Sequence, residues 1–540
     1  MYPTLQTMKK LASEDDYKRI PVCRELLADR YTPVEVMRIL RNASRHCFLL
    51  ESAGQTEVWG RYSFLGFDPS MELTCMNGIM KIRYTDGERK SADRTNESAA
   101  QKQDAGETKA EKRGEEKKRN EEREKNFRDA DRISAKEDAE IMTNHPGEML
   151  RKILREYKSP VLEELPPFTG GLAGYFSYDY IRYSEPKLRL GEHDDPDFRD
   201  MDLMLFDQVI AFDHYRQKVF LIAGVRTENL EESYREAEAK LQEMAELLKN
   251  GKKKEFAPLK LRSEIEPQFS KERYCSMVEK ARHYIREGDI FQVVLSNPMR
   301  AKAEGSLFDT YRALRASNPS PYMFYFSSDD IEIAGASPET LVKLERGKLT
   351  TFPLAGTRPR GKNRQKDAEL EAGLLEDEKE LAEHNMLVDL GRNDIGKISR
   401  TGTVQVEKYL SVEKFSHVMH LGSTVSGELR GDKDAIDAVD AILPAGTLSG
   451  APKFRACQII EELEQSRRGI YGGAVGYLDF AGNLDVCIAI RLVYKKNGAV
   501  CIRSGAGIVA DSVPEKEFEE CRNKAKAVIQ AIKQAQEGLE

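Results

Sequence analysis

The sequence lacks the features that mark several broad classes of protein. None of its eight cysteines stands in a CxxC pair or at zinc-binding spacing, which predicts reduced, mostly packed thiols in a cytoplasmic protein. The first residues, MYPTLQTMKK, contain no apolar core of a secretory signal, and no apolar run approaches the roughly 18 residues of a membrane span. The net charge of −7 is small for 540 residues and argues against nucleic-acid binding.

Several catalytic signatures are absent as well. The chain contains no GxSxG nucleophile elbow, no HExxH zinc motif, no P-loop and no GxGxxG dinucleotide motif. It also has no recognisable cysteine and histidine arrangement of a glutaminase. These common routes to hydrolysis and nucleotide binding are therefore not indicated.

Charged residues, at 32%, exceed the usual quarter, and the excess is concentrated in residues 87–140. Phe127 is the only aromatic residue there, so the stretch buries too little apolar surface to offset the entropy of ordering. We predict a charged, disordered insertion, with a partner-binding segment as the alternative. It interrupts an N-terminal domain of residues 1–225. A linker helix region follows at 226–265, and a second, larger domain at 266–535.

Strands and helices follow one another without the regular βαβ alternation of a parallel sheet. DLMLFDQVIAFDHYRQKVFLIAGV is typical of strands, whereas GEMLRKILREYK has the periodicity of an amphipathic helix. Ser270 is a good N-cap for a further helix. We predict an α+β fold, a large mixed domain of packed, mainly antiparallel β-sheets flanked by helices.

Two pairs of glutamates suggest a cation site. Glu380 and Glu383 lie three residues apart in LLEDEKELAEHNMLVDLGRND, so they share one helix face. Glu517 and Glu520 repeat this spacing in a helix that Pro514 begins. Two such pairs can form the all-oxygen site that Mg²⁺ prefers, although solvent-facing glutamates are the common alternative. Three neighbours are expected to face solvent: Glu376, Asp377 and Glu378.

Polar residues in apolar or glycine-rich strands are further candidates. Gly505 and Gly507 let a ligand approach backbone N–H groups, unless they serve only a tight turn. Arg491 in CIAIRLVY needs an anion if it is buried. Gln292 in IFQVVLS and His420 in HVMHLGS are either site residues or satisfied core residues.

The sequence resembles the chorismate-utilising enzymes, and most closely the component I family of anthranilate synthase. Over about residues 266–530 the resemblance is carried by GDIFQVVLS, NPSPYMFY, ASPETLV, PLAGTRPRG, DEKELAEHNMLVDLGRND, SHVMHLGSTVSG, PAGTLSGAPK, IYGGAVGYLDFAGNLDVCIAIR and RSGAGIVADSVPEKEFEECRNKAKA. CFLLESAG, GRYSFLGFDP and FTGGLAGYFSYD match more loosely in the N-terminal half.

The resemblance implies Mg²⁺-dependent conversion of chorismate and ammonia to anthranilate and pyruvate. Glu339 maps to the general acid and His420 to a residue near the leaving oxygen. The metal ligands map to Glu380, Glu383, Glu517 and Glu520. Contacts to chorismate map to Thr351, Thr447, Tyr471, Arg491, Gly505, Gly507 and Lys524.

Two positions distinguish members of the family. Isochorismate and salicylate synthases carry a water-activating lysine where Gln292 stands, so an ammonia user is implied. Aminodeoxychorismate synthases usually carry a covalently acting lysine where Ala355 stands, and alanine forms no such adduct. The alternatives left open are aminodeoxychorismate synthase component I, release of the amino-chorismate intermediate, and a non-catalytic chorismate or tryptophan sensor.

Regulation and a partner are implied by the same resemblance. The N-terminal domain would be regulatory and partner-contacting, and residues 266–535 would be the chorismate-binding catalytic domain. Ammonia would come from a separate glutamine amidotransferase subunit. Tryptophan would inhibit by binding Glu51, Ser52, Pro321, Tyr322, Met323, Val475, Tyr477, Asp485 and Cys487.

Overall fold

The computed structural model describes residues 1–52, 60–85, 138–191, 198–414 and 418–539. Most of the predicted insertion, residues 87–140, lies outside the described residues. Its C-terminal boundary was placed too far along the chain, because Ala139 and Glu140 already belong to a strand. The two strands that flank it, Ile79–Tyr84 and Ala139–Met142, pair with each other in antiparallel register.

The described strands form two antiparallel sheets. The first sheet has 13 strands. They are β1 Arg19–Leu27, β2 Cys47–Glu51, β3 Tyr62–Phe67, β9 Gln208–Asp213, β10 Lys218–Arg226, β11 Lys260–Leu261, β12 Glu266–Pro267, β13 Gln292–Glu304, β14 Tyr322–Ser327, β15 Ile331–Ser337, β21 Gly450–Ala451, β24 Leu492–Lys496 and β25 Ala499–Ile508. The main path runs β1-β10-β9-β3-β2-β14-β15-β24-β25-β13-β11, and β12 and β21 also pair with β13.

The second sheet has 12 strands. They are β4 Met71–Met76, β5 Ile79–Tyr84, β6 Ala139–Met142, β7 Gly171–Phe176, β8 Met201–Phe206, β16 Thr340–Glu345, β17 Lys348–Thr351, β18 Leu354–Pro359, β19 Gln405–Lys414, β20 Val418–Glu428, β22 Ala474–Asp479 and β23 Leu484–Ile488. The main path runs β18-β20-β17-β16-β23-β22-β7-β8-β4-β5-β6, and β19 pairs with β20.

Helices lie on the outer faces of the sheets. Those in the described residues are α1 Leu5–Leu11, α2 Pro33–Ala43, α3 Pro146–Arg155, α4 Ile181–Ser184, α5 Leu230–Asn250, α6 Lys271–Arg286, α7 Phe308–Ser317, α8 Arg364–Leu375, α9 Glu378–Gly396, α10 Ala435–Ile442, α11 Lys453–Glu464 and α12 Pro514–Glu537. Short 3₁₀ turns occur at Ala28–Arg30, Tyr178–Tyr180 and Gly446–Leu448. Ser270 caps α6 as predicted, because its hydroxyl accepts from the Arg273 N–H. None of the helices in the described ranges has the length and apolar character of a membrane span.

The two sheets pack face to face through a largely aromatic layer. Phe48 of β2 in the first sheet meets Phe206 of β8 in the second, with ring centroids 4.8 Å apart and the rings edge to face. This layer is one of several buried clusters, and others bury the outer sheet faces against helices. The predicted α+β fold of packed, mainly antiparallel sheets flanked by helices is confirmed.

Each sheet takes strands from both halves of the chain. In the first sheet β2 pairs with β14, and in the second β7 pairs with β22. Residues 1–225 and 266–535 are therefore joined edge to edge through backbone hydrogen bonds. The division of roles between these segments stays a prediction.

Candidate active site

Helix α9 presents the first predicted glutamate pair. Its N-cap is Asp377, whose carboxylate accepts from the N–H groups of Lys379 and Glu380 and also binds Arg358 at 2.7 Å. The prediction that Asp377 merely faces solvent is therefore wrong, because its position at the helix start gives it backbone donors. Glu376 and Glu378 are exposed as predicted, whereas Glu380 and Glu383 are half-buried.

Helix α12 presents the second pair. Pro514 opens the helix as predicted, and its apolar stripe is buried at Phe518, Cys521, Ala525, Val528 and Ile532. Packing of this stripe leaves Glu517 half-buried and Glu520 exposed. Lys524, predicted to contact the substrate, lies one turn further on, with its Nζ 2.8 Å from Glu520 Oε1.

The two helices bring these four carboxylates into one electrostatic cluster. Burial raises the pKa of Glu383, and the charges of Glu380 and Glu520 raise it further. Burial and the charge of Glu520 likewise raise the pKa of Glu517. Lys379 and Lys524 oppose these shifts without cancelling them. Clustered carboxylates with excess negative charge favour a hard cation, but no three of these glutamates have oxygens within 4.8 Å of one another in the described residues. The Mg²⁺ site therefore stays a prediction.

Glu339 lies beside this cluster, just beyond β15. Burial raises its pKa to about 7, and the nearby positive charges of Arg491 and Lys524 limit the increase. A carboxyl group with such a pKa is about half protonated at neutral pH and can donate its proton.

Arg491 is held in a strained backbone conformation next to Glu339. Its φ of 49° lies in the left-handed region, which costs a residue with a Cβ about 1–2 kcal/mol. Burial lowers the pKa of its guanidinium, and the charge of Glu339 partly compensates. Strain of this kind is often retained at ligand sites, and a half-buried guanidinium suits a carboxylate ligand.

His420 of β20 reaches the same region. Its Nδ1 donates to the Gly356 carbonyl at 2.8 Å, which fixes the proton on that nitrogen. Burial lowers the pKa of the imidazole, and the charge of Arg491 lowers it further. Strand β18 also brings Ala355 opposite Leu421, and a Cβ on Gly356 would lie 3.2 Å from Glu380 Oε2. The histidine is therefore neutral at pH 7 and close to the glutamate cluster.

Two predicted polar residues lie over the glycines of β25. A Cβ on Gly507 would be 2.6 Å from Gln292 Nε2, and a Cβ on Gly505 would be 2.9 Å from Tyr471 Oη. Gln292 is buried, and its Oε1 has no hydrogen-bond partner among the described residues. Tyr471 is also buried, which raises the pKa of its hydroxyl. The absence of side chains at Gly505 and Gly507 therefore leaves space for the polar side chains of Tyr471 and Gln292, which can form hydrogen bonds with a ligand.

Gly507→Ala is expected to lower turnover by about 10- to 100-fold with little loss of stability. The added Cβ meets only the end of the Gln292 side chain, which can move aside. Gly505→Ala is the contrasting variant, because its Cβ would lie 2.6 Å from the Leu295 carbonyl oxygen and would require the backbone to shift. Thermal unfolding and steady-state rates test both. A Gly507→Ala protein with wild-type rates would show that the Gln292 position does not matter.

A small inner cavity adjoins Glu339. Among the residues that line it are Thr351 and Thr447, whose contact with a substrate stays a prediction, and also Asp394 of α9. Asp394 is buried and accepts from Lys453 Nζ at 2.7 Å. The sequence prediction missed Asp394 and Lys453, which lie 59 residues apart and carry no local signal of their pairing.

A second cavity, of about 180 Å³, is lined by all nine residues predicted to bind tryptophan. It lies against the same segment as the inner cavity, because Phe352 lines this one while Thr351 and Pro353 line the other. The hydroxyl of Tyr322 bonds to Asp485 and to Thr340, each at 2.9 Å, and Thr340 lines the inner cavity. The two cavities are therefore linked by direct contacts.

Glu51 and Met323 contribute to this second cavity in an unexpected way. They are directly paired neighbours on β2 and β14. The carboxylate of Glu51 accepts hydrogen bonds from Tyr311 and Arg315, and Met323 packs in the same helix-side core as Tyr311. Both side chains therefore point away from the second cavity, to the face of the sheet that packs against helix α7. Only the backbone of these two residues lines the cavity. Residues that line it but were not predicted include Arg61, Tyr62, Lys343 and Phe352.

The chain belongs to the chorismate binding enzyme family, whose model matches residues 65–530. It is 41% identical to anthranilate synthase component 1 of Acetivibrio thermocellus, over 99% of both chains. It is equally similar to anthranilate synthase component 1 of Aquifex aeolicus, with 41% identity over 99% of both. The predicted resemblance is confirmed, and the chain is an enzyme of this family.

Solved structures agree with this fold. The crystal structure of anthranilate synthase component I from Streptococcus pneumoniae matches with a TM-score of 0.68 and 36% identity, covering 88% of this chain and 94% of that one. The menaquinone-specific isochorismate synthase of Escherichia coli matches with a TM-score of 0.62 at 18% identity, covering 98% and 99%. The second likeness concerns the fold alone.

Proposed function

We propose that this chain is the large subunit of an anthranilate synthase. It converts chorismate and ammonia to anthranilate and pyruvate in the cytoplasm, requires Mg²⁺ and is inhibited by tryptophan. The observation that carries the proposal is the position of Glu339, with a pKa of about 7, where the charges of Arg491 and Lys524 both act on it, because Lys524 also acts on Glu383 of α9 and Glu517 of α12. A proton donor, an anion-binding group and a cation site are the three functions that this reaction needs.

Each group then has a defined task. Arg491 and the amides of Gly505 and Gly507 bind the enolpyruvyl carboxylate of chorismate. Glu380, Glu383, Glu517 and Glu520 would hold Mg²⁺, which on binding polarises the ring carboxylate as a Lewis acid. Glu339 donates its proton to the departing 4-hydroxyl group, so that water leaves as ammonia adds to the ring.

The second stage eliminates pyruvate and makes the ring aromatic. His420 is neutral and lies near the Arg491 end of the site, so its imidazole is suited to moving a proton during this step. Its Nδ1 proton is held by the Gly356 carbonyl. Thr351, Thr447 and Tyr471 contact the ring and orient it.

Two side chains, Gln292 and Ala355, favour ammonia as the nucleophile over water or a lysine amine. Gln292 has no basic group to activate water, but its buried amide oxygen can accept a hydrogen bond from ammonia. Ala355 has no amine to form a covalent adduct with the ring. Relatives named component 1 support a separate second component, which we propose is a glutamine amidotransferase that supplies ammonia.

The direct test is product identification. Purified chain with chorismate, Mg²⁺ and an ammonium salt at alkaline pH should produce anthranilate, seen by its fluorescence and confirmed by mass spectrometry. Formation of aminodeoxychorismate in its place would show that Ala355 does not decide the outcome. Complete absence of turnover would favour a sensor that has kept the fold.

Ser52→Phe should leave turnover intact and raise the tryptophan concentration for half-inhibition at least about tenfold, or about 1.4 kcal/mol. Ser52 lines the second cavity, and its Oγ is buried with no hydrogen-bond partner in the described ranges, so phenylalanine would occupy space intended for a ligand. Inhibition curves for anthranilate formation provide the measurement. Identical curves for the variant and the wild type would remove Ser52 from the inhibitor site.

A further inference from the structure

Arg468 is a fully buried residue that connects several separate elements. Its side chain is 1% exposed and forms an ion pair with Glu464. Its Nη1 donates to the Leu448 carbonyl at 2.6 Å, and its Nη2 donates to the Val294 carbonyl at 2.7 Å. One guanidinium therefore ties the 3₁₀ turn Gly446–Leu448 and strand β13 to helix α11.

Each connected element carries a predicted substrate contact. Thr447 directly precedes Leu448, and Gln292 lies two residues before Val294 on the same strand. Tyr471 donates its backbone N–H to the Arg468 carbonyl at 3.3 Å, and its ring lies 5.9 Å from the guanidinium. A change in the Arg468 position would therefore move Thr447, Gln292 and Tyr471 together.

Glu464 fixes Arg468 in place. Its carboxylate also accepts from the backbone N–H of Ser296 at 2.7 Å and from Arg503 Nη2 at 2.7 Å. Both carboxylate oxygens of Glu464 therefore accept hydrogen bonds. The buried cluster combines the negative charge of Glu464 with the positive charges of Arg468 and Arg503. The planar fork of arginine reaches three acceptors at once, which the ammonium of lysine cannot do in the same geometry.

We propose that Arg468 is a positioning residue that sets the geometry of the chorismate pocket through Leu448, Val294 and Tyr471. This inference rests on the proposed function for the identity of the substrate. It goes beyond that function by assigning the alignment of three substrate contacts to a residue that does not itself touch chorismate. Truncation or replacement of Arg468 loosens the pocket while leaving the glutamates of α9 and α12 in place.

The neighbouring residue provides a matched control. Arg467 is also buried and forms an ion pair, with Asp200 at 2.7 Å. Its side chain also bonds to Asn77, and none of its hydrogen bonds reaches the turn Gly446–Leu448, β13 or Tyr471 in the described residues. Arg467→Lys therefore disturbs a buried ion pair of the same kind without disturbing the pocket.

Steady-state kinetics on the full chain compare Arg468→Lys with Arg467→Lys. We expect the KM for chorismate to rise at least about tenfold in Arg468→Lys and to stay within about twofold in Arg467→Lys, although both lose thermal stability. Arg468→Gln keeps a donor but loses the charge and the fork, so its effect should be equal or larger. It replaces the lysine variant if circular dichroism shows that Arg468→Lys does not fold.

Equal changes in KM for Arg468→Lys and Arg467→Lys, or an unchanged KM in Arg468→Lys, would overturn the inference. Equilibrium dialysis of chorismate with Mg²⁺ separates this result from failure of the proposed function. A wild type that binds chorismate without converting it refutes the function, and the dissociation constants of the variants then still decide the role of Arg468. A wild type that does not bind chorismate contradicts both.

Discussion

Glu339→Gln is expected to reduce anthranilate formation by about 10²- to 10⁴-fold, the usual contribution of a positioned general acid. The glutamine has nearly the same shape, but its amide is too weak an acid to give a proton to the leaving hydroxyl group. The KM for chorismate should change much less than kcat, because the substitution leaves in place Arg491 and the glycine amides, which we propose bind the substrate. An unchanged kcat would remove Glu339 from the reaction.

The same variant should alter stability in a pH-dependent way. A carboxyl pKa raised from 4.5 to about 7 means that the folded protein keeps this proton while the unfolded chain loses it between those values. The Glu339 carboxyl therefore makes its full contribution to the free energy of unfolding below pH 4.5. This contribution, about 3 kcal/mol, is lost as the pH rises through 7. The glutamine of Glu339→Gln does not ionise, so the variant does not lose this contribution. Its free energy of unfolding, relative to that of the wild type, should therefore rise by about 3 kcal/mol between pH 4 and pH 8. Denaturant unfolding at both pH values measures it.

Glu383→Gln and Glu520→Gln should each lower turnover at least about 100-fold, because Lewis-acid stabilisation is worth several kcal/mol. Glu383→Gln should also stabilise the protein at pH 8 without Mg²⁺. Burial and the charges of Glu380 and Glu520 raise the pKa of Glu383, which means that its ionised form destabilises the folded protein. Removing that charge relieves the repulsion.

Two exposed glutamates on the same helices are the controls for this prediction. Glu378 lies in the first turn of α9, and Glu519 lies on α12 next to Glu520. Their glutamine variants should keep turnover and the Mg²⁺ requirement of the wild type. Equal losses in the control variants would mean that the overall charge of these helices matters and not a cation site.

Local patterns in the sequence predicted much of the fold and the helix faces that carry the two glutamate pairs. Ser270 and Pro514 mark helix starts through short-range chemistry, and the stripe from Phe518 to Ile532 marks a buried face through helical period. The i,i+3 spacing of each glutamate pair placed it on one face. That the two pairs meet followed from the family resemblance, since nothing local links residues so far apart in the chain.

The features that were missed depend on contacts between distant segments. Asp377 looks like one more surface acid, but it caps α9 and binds Arg358. Glu51 faces the opposite side of its sheet from the second cavity because Tyr311 and Arg315 lie there. Arg468 stands in a polar stretch, EQSRRG, that reads as exposed, and only the packing of α11 against β13 explains its burial. Such residues take their roles from tertiary neighbours.

The central claim is that the carboxylates of α9 and α12 form one cation site that serves chorismate turnover. Mn²⁺, which favours the same oxygen ligands as Mg²⁺ and is visible by electron paramagnetic resonance, tests this directly in the presence of chorismate. We predict one tight site per chain in the wild type and in Glu378→Gln, and weakened binding by at least about tenfold in Glu383→Gln and Glu520→Gln. Wild-type Mn²⁺ binding in both of the latter variants would contradict the claim.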